Sequence, residues 1–464
     1  MTVRVRFAPS PTGNMHIGHI RAALPNYLFA LREKGTFIVR MEDTDLERHV
    51  EEAEAQMLAD LEWLGMHADE SPLHGGDFGP YRTRERAKRG DYEDAVKKLM
   101  DAGRAYECFV TEQELDVMRK LQRQRNEPPR YDNRHRDLTE EKKAEFRAKG
   151  MEPVIRFKLE DGDIEFEDMV RGTVKFEAQH LGGDPVIVRS NGIPLFTLAG
   201  CVDDINQKIT HVVRGEDHVA NTAMQVQIFK ALGATPPMFA HVPMLLDAEG
   251  HKFSKRKGSL SVVALRNKGY VPQAIMAYMA SLGFSFGTEP RTLEELAKLY
   301  DLTTMSRSAA RFDEEQLTRT NATYLHSLNL ADIEDQLKTV MPEFDLDGDQ
   351  AATFWKAVRE NIETLADVKE LYTICFGNIQ GRVEKDDADF IKEALGFLPS
   401  GPFDTSTWGQ WTGALKEQTG RKGKALFMPL RLALTGQSHG PDLSLLLPVM
   451  GEEKTKQRLE SSLS

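Results

Sequence analysis

The chain has 464 residues, of which 40% are hydrophobic and 28% are charged, and its formal net charge is -12. This length exceeds one ordinary domain and predicts roughly two to four domains. The acidic balance argues against a protein coated in positive potential, so binding of nucleic acid would require basic residues gathered locally.

The N-terminal segment has the pattern of a strand, a helix and a second strand. Apolar and polar residues alternate in "TVRVRFAP", which predicts the first strand. Apolar residues recur at helical spacing in "IRAALPNYLFALREKG", with Gly35 as a predicted C-cap. A short apolar run in "GTFIVRMEDTD" predicts the second strand. This βαβ unit predicts a parallel sheet with right-handed crossovers. A second helical pattern, "EEAEAQMLADLEWLG", ends at Gly65.

The middle of the chain differs from the N-terminal segment in composition. Charge-dense helical patterns and a stretch rich in Pro, Arg and Asn predict a subdomain inserted into the α/β domain. Strand patterns return in "DPVIVRSNGIPLFTLAGCVDD" and "KITHVVRGED", which we expect to complete the sheet. The predicted divisions are 1–80 with 183–240 for the α/β domain, 81–182 for the insertion, 241–312 for a connecting region, and 313–464 for an all-α domain.

The stretch "SPTGNMHIGH" follows the first strand. The first turn of a helix presents unpaired N–H groups and the positive end of its dipole, which suits phosphate. Gly13 and Gly18 would let a ligand approach the backbone, while His16 and His19 would add donors on one face. A metal would need a third ligand, and none stands nearby in the sequence. The alternative is a pair of capping or surface histidines.

A second motif, "DAEGHKFSKRKGS", crowds cations between Gly250 and Gly258. The cations are Lys252, Lys255, Arg256 and Lys257. A lysine loop flanked by glycines can close over a triphosphate and meet charge that develops in the transition state. The alternative is a solvated basic turn.

Together, "HIGH" and "KFSKR" resemble the paired signatures of class I aminoacyl-tRNA synthetases. The ordered strings "RFAPSPTGNMHIGH", "RMEDTD", "HVVRGEDH", "FAHVPML" and "MPLRLALTG" resemble glutamyl-tRNA synthetases over almost the whole chain, with closer similarity to the second bacterial type. The resemblance implies a Rossmann-like catalytic domain with an inserted, acceptor-binding connective subdomain, followed by an all-α anticodon-binding domain. The connecting region would contact the tRNA stem and carry the lysine loop.

The resemblance also implies a reaction. ATP, with Mg²⁺ arriving on it rather than in a protein cage, would activate L-glutamate as glutamyl-adenylate, and the acyl group would pass to the 3′-terminal adenosine of tRNA. The implied catalytic residues are His16, His19 and Lys255. The implied ATP-binding residues are Ser10, Gly18, His19, Asp217, Lys252, Ser254 and Lys255.

Glutamate carries two carboxylates and one ammonium, so its pocket needs two cations and one anion. By resemblance these are Arg6, Arg214 and Glu42. Ala8, Ser10, Phe196 and Gly200 would complete the pocket. The alternatives are a solvated loop acid for Glu42 and, for Arg214, an ion pair with one of the acidic residues in "GEDH" (Glu216 or Asp217).

The chain departs from the family in two places. Phe196 stands where a tyrosine is usual, and Gly200 where Asn or Ser is frequent, which removes a possible hydrogen bond to substrate worth about 0.5 to 1.5 kcal/mol. Some relatives bind zinc in the insertion, and the corresponding residues here are Cys108, Val110, His135 and Asp137. Val110 cannot ligate a metal, so we predict no zinc.

The C-terminal segment "TGRKGKALFMPLR" concentrates positive charge in an acidic protein. Its predicted tRNA-binding residues are Arg421, Lys422, Lys424 and Arg431, with Trp408, Trp411 and Phe427 as nearby stacking faces. The alternative is that the tryptophans belong to the helical core and the lysines to a solvated face, and for each tryptophan taken singly we favour the core. Asn361 stands where relatives restricted to tRNA(Glu) tend to have arginine, so tRNA(Glu), tRNA(Gln) or both are possible substrates, and an amidotransferase is an implied partner.

The sequence has no run of about eighteen apolar residues and no signal-peptide pattern, so we expect no membrane segment. Three cysteines without a CxxC pair fit a reducing compartment, and we predict a cytoplasmic location. Relatives suggest a monomer. Two rival functions are a nucleotidylyltransferase acting on small molecules and a non-catalytic paralogue that binds tRNA or a protein.

Overall fold

The computed structural model describes residues 2–43, 51–247, 249–251 and 260–463. The strands are β1 Arg4–Phe7, β2 Thr36–Val39, β3 Ala105–Cys108, β4 Val154–Phe157, β5 Asp163–Asp168, β6 Gly172–Glu177, β7 Val186–Val188, β8 His211–Gly215, β9 Met238–Val242, β10 Leu245–Leu246 and β11 Ala310–Arg311. The helices are α1 Ile17–Glu33, α2 Glu51–Trp63, α3 Thr83–Arg89, α4 Asp91–Asp101, α5 Glu112–Gln124, α6 Glu140–Ala148, α7 Phe196–Asn206, α8 Val219–Ala231, α9 Val262–Asn267, α10 Pro272–Ser281, α11 Leu293–Leu299, α12 Glu314–Ser327, α13 Leu330–Val340, α14 Gly348–Val358, α15 Val368–Phe376, α16 Ala388–Gly396, α17 Thr407–Thr419, α18 Lys424–Thr435 and α19 Leu443–Ser462.

The chain divides into two compact units. The first comprises Met1–Val262, Met279–Gly287 and Arg291–Asp313, and the second comprises Val263–Tyr278, Thr288–Pro290 and Glu314–Ser464. Within the described ranges every strand lies in the first unit, and the second is built from helices. This division agrees with the predicted α/β fold followed by an all-α part. No helix in those ranges is long and apolar enough to cross a membrane.

The predicted N-terminal βαβ unit is present. Strand β1 pairs with β2 in parallel, and α1 crosses between them with Leu24 and Leu28 buried, each contributing about 1.5 to 3 kcal/mol by removal from water. The prediction that Gly35 is the C-cap is off by one residue, because Lys34 takes the left-handed conformation with φ 52°. Gly35 instead permits close approach, since a Cβ there would lie 2.5 Å from the carbonyl oxygen of Val3.

The other strands of the first unit form two larger sheets. A four-stranded sheet has the order β6-β5-β9-β8, in which β8 and β5 both run parallel to β9. A three-stranded antiparallel sheet has the order β3-β4-β7. The expectation that the segment containing β7 completes the parallel sheet is therefore wrong for that strand, whereas β5, from the predicted insertion, does join it. A short apolar run identifies a buried strand without specifying its partner.

Candidate functional site

The two histidines of "HIGH" cap helix α1. His16 is the N-cap residue, and its Nδ1 accepts the N–H of Gly18 at 3.1 Å, while Nδ1 of His19 accepts the N–H of His16 at 3.2 Å. The two rings stack with centroids 3.8 Å apart. The alternative that the two histidines cap the helix is therefore correct. It also places both imidazoles at the positive end of the helix dipole, where an anion is favoured.

The histidine stack leaves no room for a side chain at Gly18. A Cβ at this position would lie 2.9 Å from Cε1 of His16. The structure shows that Gly18 leaves room for the histidine stack, while the approach of a ligand to its backbone stays a prediction.

The chain that follows the lysine motif returns to this turn. The N–H of Ile17 donates to the carbonyl of Leu260 at 3.3 Å, and the N–H of Val262 donates to the carbonyl of Met15 at 2.9 Å. The segment 252–259 immediately precedes these contacts in sequence. Three predicted ATP-binding residues, Lys252, Ser254 and Lys255, lie outside the described residues.

A cleft of about 150 Å³ opens beside the histidine turn. Its lining residues are Gly18, Arg21, Ala22, Gly215, Asp217, Val242, Pro243, Met244 and Leu245. These belong to α1 and to the segments at the carboxyl ends of β8 and β9, the edge of a parallel sheet where ligands commonly bind. Two of the predicted ATP-binding residues, Gly18 and Asp217, therefore share one cleft, and Ser10 is exposed on the loop before α1.

The half-buried predicted pocket acid, Glu42, lies among four buried charged residues, and we name these five residues the pocket cluster: Arg6, Arg40, Glu42, Asp203 and Asp204. Oδ1 of Asp204 accepts from Arg6 Nε at 3.1 Å and from Arg40 Nη1 at 2.8 Å. Oε1 of Glu42 lies 3.6 Å from Nη2 of Arg40. Burial raises the pKa of Glu42 to about 7, against the attraction of Arg40 and Arg6. Glu42 is therefore not a solvated loop acid.

The pocket cluster is incompletely satisfied. Nε and Nη2 of Arg40 are buried without a hydrogen-bond partner among the described atoms, although carboxylates of Asp203 and Glu42 stand 3.6 Å away. Burial also raises the pKa of Asp203 to about 6. Sequence reasoning missed Arg40 and the two aspartates of α7. The available signal was a pair of acids, "DD", inside an otherwise apolar helix.

Arg214 lies buried in the same region, and its hydrogen bonds go to neutral groups, among them Nε2 of His241, which accepts from Nε at 3.5 Å. Nη2 donates to Oγ1 of Thr222 and to Oε1 of Gln225, both at 2.6 Å. Burial, together with the charge of Arg6, lowers the pKa of Arg214 to about 10. An anionic ligand would favour the charged guanidinium, and would thereby offset both the burial of Arg214 and its repulsion from Arg6.

The alternative of an ion pair between Arg214 and Glu216 is not what the structure shows, because Glu216 pairs with Arg171 and accepts the N–H of Met244 at 2.8 Å.

The two residues that depart from the family lie on helix α7. Phe196 begins the helix, and its ring centroid is 5.3 Å from that of His218. Gly200 is buried, and a Cβ there would be 3.4 Å from Nε2 of Gln225, which holds Arg214. Ala8 is half-buried after β1. The structure thus brings Arg6, Glu42, Gly200 and Arg214 into one neighbourhood.

The residues that correspond to a zinc site in some relatives do not fit a metal here. Cys108 Sγ accepts from Arg156 Nε at 3.3 Å and lies 3.4 Å from the Tyr131 hydroxyl. Nδ1 of His135 accepts the N–H of Phe109 at 3.1 Å. Val110 is buried and Asp137 is exposed. The donor set is wrong for tetrahedral zinc, and the absence of zinc stays a prediction.

A hydrogen-bonded network occupies this corner of the insertion. We name it the insertion cluster: Tyr106, Cys108, Tyr131, Arg136, Arg156 and Asp184. The guanidinium of Arg156 lies 3.9 Å above the Tyr131 ring, and its Nη1 donates to the carbonyl of Asp184 at 2.6 Å. The Asp184 carboxylate accepts from the Tyr106 hydroxyl at 2.8 Å and from two nitrogens of Arg136.

In the second unit, the predicted tRNA-binding cations differ in their surroundings. Lys422, Lys424 and Asn361 are exposed. Arg421 forms an ion pair with Asp387, and its guanidinium lies 4.3 Å from the centroid of the Phe390 ring. Arg431 is half-buried and donates to the carbonyl of Pro441 at 2.9 Å.

The aromatic residues near these cations also differ in their exposure to solvent. Trp411 is fully buried, and its Nε1 donates to the carbonyl of Ala394 at 2.9 Å, so the alternative of a core residue is correct for Trp411. Trp408 is half-buried against Phe427, with ring centroids 5.9 Å apart, and Phe427 is 42% exposed. An accessible aromatic face therefore lies beside the basic segment.

Comparison with known proteins gives full-length matches. The family model for the catalytic domain of class I tRNA synthetases (E and Q) matches residues 2–319, and the model for the anticodon binding domain matches residues 332–463. Glutamate-tRNA ligase 1 of Roseobacter denitrificans is 44% identical over 97% of this chain and 99% of its own length. Glutamate-tRNA ligase 2 of Hyphomonas neptunium is 43% identical over 98% of this chain and 99% of its own length.

A solved structure agrees with these matches. The crystal structure of a glutamate tRNA ligase from Elizabethkingia meningosepticum, in complex with its amino acid, has a TM-score of 0.89 to this chain at 32% sequence identity. It covers 100% of this chain and 99% of its own.

Proposed function

We propose residue roles from one premise: the chain belongs to the glutamate-tRNA ligases, within the class I tRNA synthetases (E and Q). The reaction is the ATP-dependent ligation of L-glutamate to tRNA. In our proposal Arg6 and Arg214 each bind one carboxylate of glutamate, and Glu42 binds its ammonium.

The observation that carries this assignment is the arrangement around Arg214. A buried guanidinium with neutral partners lies near Arg6, and an acid of raised pKa lies beside the same Arg6. This charge pattern matches a ligand with two anionic groups and one cationic group. A nucleotidylyltransferase acting on small molecules would have no use for it, and a non-catalytic paralogue would have no need to keep it.

The histidine turn is our proposed ATP site. The glutamate α-carboxylate attacks the α-phosphorus of ATP, the bond to pyrophosphate breaks, and glutamyl-adenylate forms. His16 and His19 sit at a helix N-terminus and would stabilise phosphate charge there. Mg²⁺ bound to ATP would offset charge on the leaving phosphates. Lys255 keeps its proposed role in this step, supported by the return of residues 260–262 beside Met15 and Ile17.

Aminoacylation with labelled glutamate and ATP tests the function, with purified tRNA(Glu) and tRNA(Gln) supplied separately. We expect transfer to at least one, and transfer to tRNA(Gln) would support a partnership with a tRNA-dependent amidotransferase. An Asn361→Arg variant should lower charging of tRNA(Gln) relative to tRNA(Glu). Failure to charge either tRNA would overturn the assignment. A monomeric state and a cytoplasmic location stay predictions.

Binding of tRNA is proposed for the exposed cations of the second unit. Replacing Lys422 and Lys424 together by alanine should weaken tRNA binding and reduce its salt slope by about 0.7 for each lost phosphate contact. Arg421→Ala should do less, because that guanidinium is already paired with Asp387. Dissociation constants measured over a range of KCl check this, and a larger effect from Arg421→Ala would contradict it.

A further inference from the structure

We infer that Thr222 and His241 are positioning residues for Arg214, and that the chain Asp168–His241–Thr222 sets the selectivity of the amino-acid pocket. The inference rests on the proposed role of Arg214 in binding a glutamate carboxylate. It adds three residues that do not themselves have to touch the substrate.

The fold brings these residues together from three neighbouring strands and a helix. Arg214 of β8 and His241 of β9 are partners in parallel register, and Asp168 ends β5, which borders β9 on its other side. Thr222 projects from α8, the helix that connects β8 to β9. All of these side chains are buried, and Thr222 and His241 are inaccessible to solvent.

Four side chains form one continuous series of hydrogen bonds. Oδ2 of Asp168 lies 2.6 Å from His241 Nδ1, His241 Nε2 lies 2.7 Å from Thr222 Oγ1, and Oγ1 accepts from Arg214 Nη2 at 2.6 Å. Asp168 is itself fixed, because it accepts the backbone N–H groups of His241 and Val170, both at 3.0 Å. The series therefore begins on rigid backbone and ends on the guanidinium.

The direction of these bonds follows from donor and acceptor capacity. An ionised carboxylate can only accept, so Nδ1 of His241 carries the hydrogen and Nε2 is left as an acceptor. The Thr222 hydroxyl then donates to Nε2, in preference to the more distant carbonyl of His218 at 3.1 Å, and turns a lone pair toward Arg214. Burial lowers the pKa of His241, which keeps the ring neutral as this direction requires.

Orientation of the guanidinium follows from this series. Nη2 of Arg214 is held by Thr222 on one side and by Gln225 on the other, so the plane of the group is fixed before a ligand arrives. Both hydrogens of Nη2 are thereby used, and Nε donates to Nε2 of His241 at 3.5 Å, so Nη1 is the nitrogen left to donate to a ligand. A guanidinium held in one orientation presents its charge at one distance and one angle. It therefore favours glutamate over glutamine, whose neutral amide does not offset the buried positive charge, and over the shorter aspartate.

Thr222→Val tests the inference, because valine keeps the shape and removes the hydroxyl. We expect KM for glutamate to rise by about tenfold, the loss of one hydrogen bond to a charged group, with kcat and KM for ATP little changed. The preference for glutamate over glutamine in kcat/KM should fall, whereas Thr222→Ser should restore both values. Thr173→Val, at an exposed threonine of β6, is the matched control.

A second variant keeps the inference testable if Thr222→Val folds poorly. His241→Asn places an amide where Nδ1 bonds to Asp168 and removes the Nε2 acceptor, so it should reproduce the rise in KM for glutamate and the loss of selectivity. The melting temperature and KM for ATP report the integrity of each variant.

Arg214→Ala separates the two claims. An unchanged KM for glutamate in Arg214→Ala would remove the proposed role of Arg214, and the positioning inference with it. A raised KM in Arg214→Ala, together with unchanged selectivity in a folded Thr222→Val or His241→Asn, would overturn the positioning inference alone.

Discussion

The first unit contains two buried groups of arginines and carboxylates that differ in how far their hydrogen bonds are satisfied. In the insertion cluster, the Asp184 carboxylate accepts from Tyr106, from Arg136 twice and from the N–H of Leu159. In the pocket cluster, two nitrogens of Arg40 are buried without a hydrogen-bond partner among the described atoms.

This difference predicts which cluster is a structural network and which is a binding site. A buried charge that is fully hydrogen-bonded within the protein stabilises one conformation, and a ligand could only disturb it. A buried cluster with unmet donors and acids of raised pKa is costly by itself and gains when a ligand of matching charge arrives. By this criterion we predict that the pocket cluster binds substrate, and that the insertion cluster holds its subdomain together without a metal.

The largest effect is expected from breaking the insertion cluster. Asp184→Asn would leave Arg136 without its carboxylate partner and should lower the local free energy of unfolding by about 3 kcal/mol. Hydrogen–deuterium exchange at β3 and β4 measures this, because a chain of two units need not unfold in one step. Asp137→Asn, at an exposed aspartate, is the control, and equal protection in both variants would contradict the distinction.

A moderate effect is expected from the pH dependence of the pocket cluster. The pKa of Glu42 is raised to about 7, so its carboxyl is mostly neutral a unit below that value and mostly ionised a unit above it. Only the ionised form attracts an ammonium, so KM for glutamate should fall by up to about tenfold as pH rises from about 6 to about 8.

Glu42→Gln isolates this titration. Asp203, with its pKa near 6, and His218, with its pKa lowered to about 4, remain in that variant. The pH dependence of KM for glutamate seen in the wild type should therefore disappear in Glu42→Gln, while KM itself rises. A slope that persists in Glu42→Gln would assign the titration to Asp203.

The smallest effect is expected from metal removal. Because the insertion cluster is held by Arg156 and Asp184 and its cysteine is occupied by hydrogen bonds, dialysis against a chelator should leave the melting temperature unchanged. Elemental analysis should find far less than one zinc per chain. One zinc per chain, with a fall in melting temperature on chelation, would show that the network does not replace a metal.

Local patterns in the sequence predicted the local structure well. The strand, helix and strand around "HIGH" follow from alternation and helical spacing, and the all-α second part follows from the lack of strand patterns. Strand β7 was misassigned because its apolar residues say nothing of which strand lies beside it. The C-cap was misplaced because the close approach of Gly35 to Val3 is a contact between separate segments.

The pocket shows the same limit. Arg6, Glu42 and Arg214 were predicted as pocket residues through family resemblance, whereas Arg40, Thr222 and His241 were not. Thr222 carries no pattern of its own. Its chemistry arises only when pairing of β8 with β9 brings His241 beside Arg214. Long-range register of this kind cannot be read from the spacing of residues along one segment.

The stacked imidazoles at the start of α1 limit what protein engineering can do there. Exchanging a glycine inside a helix for alanine is a common route to greater thermal stability, worth up to about 1 kcal/mol. At Gly18 the added methyl would meet the ring of His16 at 2.9 Å and force the stack apart. A redesign guided by helix propensity alone would select this exchange and disturb the histidine turn without the expected gain in stability.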